Sequence, residues 1–166
     1  MDWHEALGFG GLAAIALSHL PVGTRRAPDT NRAEGQTRVL RVYEDGRGDS
    51  HLEELVVATT PDGRFRVAGD LPAVGVALRE YPADDVVDWH RAPARQLAIT
   101  VVGELEVEVC GGVRRTVRAG ELVFLEDTTG KGHITRLRGR VTNLFIRVPD
   151  SFDVVVWAKG QAPDVA

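Results

Sequence analysis

Gln96 to Val117 reads QLAITVVGELEVEVCGGVRRTV, and this stretch decides the fold class. In its second half Glu104, Glu106 and Glu108 alternate with Leu105, Val107 and Val109, the period of two that gives a strand one wet face and one buried face. Gly111-Gly112 predicts a two-residue hairpin turn, because a type I′ turn needs positive φ at both central positions. Val113 to Val117 is then the returning strand. Its Arg114 and Arg115 are expected near the glutamates, where cross-strand charge pairs help to fix register. In the first half, read as a separate strand Gln96 to Val102, Leu97, Ile99 and Val101 form a face that packs against protein. Gln96, Ala98 and Thr100 form a face that is neither charged nor bulky, suited to lining an open cavity or to a mildly polar outer edge.

Working outward, the same grammar continues. Arg38 to Tyr43 (RVLRVY) and Leu52 to Val57 read as strands, and Thr142 to Val148 reads as a closing strand. Turn signals recur roughly every 8–12 residues, the spacing of a β sandwich or barrel: Pro61 to Gly63, Gly69-Asp70, Pro82 to Asp85, Gly111-Gly112, Gly130 to Gly132 and Gly139. Ser151 to Ala158 (SFDVVVWA) is apolar enough for a last strand or a dimer contact. Before residue 38 the pattern changes. Thr24 to Thr37 is polar and rich in turn formers, a linker. Ala6 to Val22 reads as a short helix, or as a poorly ordered extension; it lacks the basic flank of a secretory signal. The expected organisation is an extension and linker over 1–37, a barrel over 38–158 and a tail over 159–166.

With 166 residues and 43% of them hydrophobic, the chain can bury a core without staples, and the lone Cys110 cannot form an internal disulfide. A reducing, cytoplasmic setting is the expectation, and Cys110 is assigned no chemistry. A net charge of -4 argues against nucleic acid as a partner, and no apolar run is long enough to span a membrane. The expected partners are a small-molecule ligand and a second copy of the chain in a homodimer.

Candidate chemistry gathers at two histidines. His4 and His19 lie in the extension. In Asp88-Trp89-His90 a regular strand would put Asp88 and His90 on one face, ready to ligate an ion or to act as an acid/base pair. His133 follows the Gly130-Lys131-Gly132 turn. The segment Glu126 to Gly132 crosses the mouth that His133 borders, and its backbone N–H groups suit either an anionic ligand group or the turn's own side chains. If Glu126 points inward it is a candidate acid or base. Arg95 should face away from Gln96. Trp89 and Trp157 are expected to be packing residues.

Asp88 to Arg136 resembles the cupin superfamily, specifically small single-domain bacterial cupins. In the family's first motif, His-x-His followed by Glu and Gly, Asp88 takes the first histidine's place, His90 matches the second, Gln96 replaces the glutamate and Gly103 matches the glycine. In the second motif Gly120 matches the start, Glu126 stands for the proline, Gly130 and His133 match the later Gly-x-x-His, and Leu137 replaces the final asparagine. The resemblance implies an all-β, double-sheet jelly-roll barrel. It also implies a divalent transition metal (Fe, Mn, Ni, Cu or Zn) held by Asp88, His90, Gln96 and His133, with Asp88, His90, Glu126 and His133 as catalytic candidates for lyase, isomerase, cyclase or dioxygenase chemistry. Two other readings stand beside it: a metal-free cupin that binds a metabolite, and one working by acid/base groups alone.

Overall fold

A computed structural model of the chain describes residues 36–160, in which the chain is almost entirely β. The strands are β1 (Thr37–Glu44), β2 (Ser50–Val57), β3 (Thr60–Asp62), β4 (Phe65–Val67), β5 (Gly75–Tyr81), β6 (Val86–His90), β7 (Gln96–Glu108), β8 (Arg114–Arg118), β9 (Leu122–Leu125) and β10 (His133–Arg147), followed by one short helix, α1 (Val154–Ala158). The calls on Ala6 to Val22, His4 and His19 lie outside the described residues. Among those described, no helix is long and apolar enough to cross a membrane.

The architecture follows from two long strands that bend together. The two segments expected as separate strands, Gln96–Val102 and Glu104–Cys110, belong to one strand, β7, that continues through Gly103 and ends at Glu108. Gly103 sits at φ 88°, and a Cβ there would lie 2.3 Å from the Arg140 carbonyl oxygen. Only glycine fits such a close approach at positive φ. The partner strand β10 breaks register opposite this point, between Arg138 and Thr142. Before the bend β10 pairs with β6 and with the Glu104–Glu108 half of β7, which carries β8 on its other edge. After the bend β10 lies between β5 and the Gln96–Val102 half of β7, and the sheet continues through β9 and β1 to β2. The result is a jelly roll, with two sheet halves facing each other across a common interior.

The period-two reading places most side chains. Leu105, Val107 and Val109 are buried, and Glu104, Glu106 and Glu108 face out to a lattice of arginines. Arg114 lies 2.9 Å from Glu108, Arg118 3.1 Å from Glu104 and Arg136 2.5 Å from Glu108. Arg115 turns the other way, toward Glu54 and Glu121. The connection from β7 to β8 is a tight 3-10 turn over Cys110–Gly112 rather than a two-residue type I′ turn, although both glycines take positive φ as expected. The turn is closed by Val109 N–H donating to the Val113 carbonyl, which adds Cys110 to the loop.

Two apolar clusters result. One fills the interior, with Val42, Leu105, Val117, Leu137 and Phe145 among its members. The other covers the opposite side of the sheet and includes Val39, Leu97, Phe124, Phe152 and Trp157. Ile99 is half-buried against this second cluster, whereas Val101, expected beneath it, is half exposed, because the cover does not extend that far along β7. The cover is α1, so Ser151 to Ala158 is not the expected strand. The Asp153 carboxylate accepts from Val155 and Val156 N–H and caps a turn of helix, and the helix then buries Val154, Trp157 and Ala158. Trp157 is the packing residue anticipated, its indole N–H donating to the Gly69 carbonyl at 2.7 Å. Trp89, by contrast, is 46% exposed.

Candidate functional site

The interior cluster does not fill the space between the sheet halves. A cavity with an open mouth lies there. Its apolar wall is Ala98, Leu105, Val107, Val123, Leu125 and Phe145, and its polar lining is Arg79, Tyr81, His90, Gln96, Thr100, His133, Thr135 and Asn143. The face of Gln96, Ala98 and Thr100 therefore lines a cavity, with Gln96 and Thr100 both buried.

His90 and His133 are brought together by the pairing of β6 with β10, which sets them directly opposite each other with ring centroids 4.3 Å apart. The contact depends on Gly132, at φ 75°, since a Cβ there would fall 2.0 Å from the His90 carbonyl oxygen. His133 is buried, and its Nδ1 lies 2.5 Å from Oδ2 of Asp127, itself fully buried. Oδ1 of Asp127 has no hydrogen-bond partner. His90 Nδ1 lies 2.8 Å from the Asp88 carbonyl oxygen. Both neighbours are acceptors, so a proton on Nδ1 suits both rings, and in His133 this leaves Nε2 as the basic nitrogen. Burial, reinforced by the nearby His133, pushes the His90 pKa below its usual 6.5 and keeps it neutral at neutral pH. Behind His133 the buried carboxylate fixes the ring and balances the positive charge when Nε2 takes a proton.

Two expected site residues are placed elsewhere. Asp88 is exposed, and its carboxylate accepts from the Trp89 N–H at 2.8 Å. The cause is a bulge: His133 pairs with His90 but Thr135 pairs with Val87, so Asp88 and Trp89 together oppose the single residue Ile134. The extra residue shifts the parity of β6 and takes Asp88 off the face of His90. Glu126 also points away from the cavity, into an ion-pair cluster with Arg41 and with Arg95 at 2.5 Å. Arg95 is thus an internal contact, and it further donates to the Phe152 carbonyl at 2.7 Å. Nor is the Gly130–Gly132 turn an open anion nest, since Lys131 N–H is taken by the Gly48 carbonyl and Lys131 Nζ by Asp49.

The donor set expected for a metal is consequently incomplete. Among the described residues no three His, Cys, Asp or Glu side chains are arranged to hold a metal ion. With Asp88 outside, two imidazoles and the neutral amide of Gln96 remain, short of the three strong ligands that zinc or non-haem iron sites take from protein. The residues present do not fit a resident transition ion.

Three residues that matter were not singled out from the sequence. Asp127 stands six positions before His133 across a glycine-rich turn, a spacing that could have marked it. Arg79 and Asn143 lie on different strands and meet only through the β5–β10 register, which no local pattern announces.

No family model matches the chain, and no curated protein matches it. Solved structures do. The protein NMB1881 from Neisseria meningitidis matches at 17% identity, covering 55% of this chain and 81% of that one, with a TM-score of 0.36. A cupin-2 domain containing protein from Shewanella frigidimarina matches at 16% identity over 51% of this chain and 85% of that one, TM-score 0.37. A putative ethanolamine utilization protein Q from Salmonella typhimurium matches at 16% identity over 69% of this chain and 97% of that one, TM-score 0.30.

Proposed function

We infer that this chain is a cupin, and that its cavity moves a proton on a small metabolite without a resident metal. The cupin assignment is supported by the jelly roll together with the motif spacing, in which His90 of the first motif and His133 of the second meet across the β6–β10 pair. The observation that carries the reaction class is the His133–Asp127 pair, a buried carboxylate 2.5 Å from an imidazole that borders a cavity. In this reading Nε2 of His133 takes a proton from an acidic C–H or O–H of the ligand. The bonding electron pair stays on the ligand. Neutral His90, at ring contact, relays or returns the proton, so that the outcome is an isomerisation, an epimerisation or the first half of an elimination.

The apolar wall favours a second reading, in which the same cavity binds a metabolite without turnover. The two separate in D2O. Chelator-treated protein is incubated with aldoses, 2-oxo acids and 2-hydroxy acids, and loss of ligand C–H signals is followed by proton NMR. Proton transfer predicts exchange at one carbon that persists in chelator and falls roughly a hundredfold or more in Asp127→Asn and His133→Gln. Exchange that appears only with an added divalent ion would overturn the metal-free reading, and binding with no exchange would favour the second.

A further inference from the structure

The far end of the cavity is chemically unlike the histidine end. Arg79 of β5 pairs in register with Asn143 of β10, and Asn143 with Thr100 of β7, so three polar side chains form one row across three strands. All three line the cavity. Asn143 is only 5% exposed, yet its Oδ1 has no hydrogen-bond partner. A buried acceptor left unpaired destabilises the protein, so a ligand donor that satisfied it would be bound for that reason. Arg79 makes no ion pair among the described residues, whereas the arginines of the outer lattice each face a glutamate. Arg79 is an exposed residue, but its guanidinium lies 4.8 Å above the ring of Phe145, which also lines the cavity, so the charge stands at the cavity's open mouth. No aspartate or glutamate lines the cavity to neutralise it.

We propose that the cavity takes a small 2-hydroxy carboxylate, with the Arg79 guanidinium on the carboxylate and Asn143 Oδ1 accepting from the hydroxyl. Directly opposed residues on neighbouring strands stand roughly 5 Å apart, a separation that one molecule with adjacent carboxylate and hydroxyl groups can bridge. A guanidinium offers the paired donors that a carboxylate accepts. The carbon bearing the hydroxyl and its hydrogen would then be presented toward the histidine end. The inference rests on the cavity being the working site, and it names the substrate class for the proton transfer read above.

The test uses the full chain and named probes: lactate and malate, the deoxy acids propionate and succinate, and lactamide. Binding is measured by titration with NMR detection, in parent, Arg79→Gln, Asn143→Leu and, as a control for general surface charge, Arg138→Gln. Expected are binding of lactate or malate, weaker binding of the deoxy acids, and loss of lactamide. Arg79→Gln should weaken the acids about tenfold or more. Asn143→Leu should erase the preference for hydroxy over deoxy acids, and Arg138→Gln should leave both unchanged. Equal binding of lactate and lactamide, equal losses in Arg79→Gln and Arg138→Gln, or no binding of any acid at millimolar concentration would each overturn the proposal. Arg79-dependent binding with no C–H exchange in D2O would keep this inference and sink the proton-transfer reading. Exchange on an uncharged aldose that is indifferent to Arg79→Gln would do the reverse.

Discussion

Glu126 and Asp127 are neighbours in the chain and opposites in the fold. The Glu126 carboxylate is held between Arg41 and Arg95, on the side of the sheet away from the cavity. The Asp127 carboxylate is fully buried, with His133 on one oxygen and nothing on the other. In the first case Arg95 and Arg41, the latter also paired with Glu53, meet one carboxylate, and the cluster ties β1 and the start of β7 to the strand end at Leu125. In the second a fully buried carboxyl group has the His133 imidazole as its one side-chain partner. A buried polar group left so lightly paired is poorly explained by stability, and the proposed chemistry at the imidazole gives it a use. In the proposed reading the working groups are those whose polar atoms are left unbalanced.

The sharpest way to break that contrast is to neutralise each carboxylate in turn. Glu126→Ala removes the shared partner of two partly buried arginines, leaving Arg41 with Glu53 and Arg95 with the Phe152 carbonyl, and should cost about 2 kcal/mol in chemical denaturation. Asp127→Asn should change stability by less than about 1 kcal/mol while abolishing C–H exchange, because the hydrogen bond to Nδ1 survives and the charge does not. A large loss of stability in Asp127→Asn with exchange intact would reverse the assignment of roles. A smaller effect is expected from His90. Its folded pKa lies below 6.5, so the unfolded chain binds more protons in the interval between the two values. Stability from this group is therefore complete above about pH 6.5 and declines as pH falls toward the folded pKa. His90→Gln should flatten that part of the stability profile relative to the parent; an unchanged slope would remove the argument that His90 is held neutral. The smallest effect belongs to the outer lattice. Arg138 is 60% exposed beside Glu104 and Glu106, and Arg138→Ala should cost less than about 0.5 kcal/mol. A cost near that of Glu126→Ala would show that the outer charges act as one network.

Much of this was legible in the residues. Leu105, Val107 and Val109 against three glutamates could only be a strand with one face buried, and the small polar face of Gln96, Ala98 and Thr100 marked the cavity wall. His90 and His133 were legible through their motif spacing. Asp88 was misplaced because a single bulge residue reverses parity, and nothing in Val-Val-Asp-Trp-His reveals where an extra residue will be left unpaired. The same one-residue difference put Glu126 forward where Asp127 is the buried partner. Arg79 and Asn143 stand 64 positions apart in the chain (143 minus 79), and only the β5–β10 pairing makes them neighbours. The C-terminal VVVWA has strand propensity, but the Asp153 cap and the apolar sheet face beneath it hold it as helix.

The unbroken passage of β7 through Gly103 also bears on heredity. Since one continuous strand supplies both the cavity wall and the outward glutamates, inserting or deleting a single codon within 96–102 would turn Leu97 and Ile99 inward and Gln96 and Thr100 outward in one step. Point changes at Gln96 or Thr100, by contrast, alter one lining group and leave the pairing as it is. Descendants of this gene are thus free to retune the pocket letter by letter, while the length of this segment is frozen.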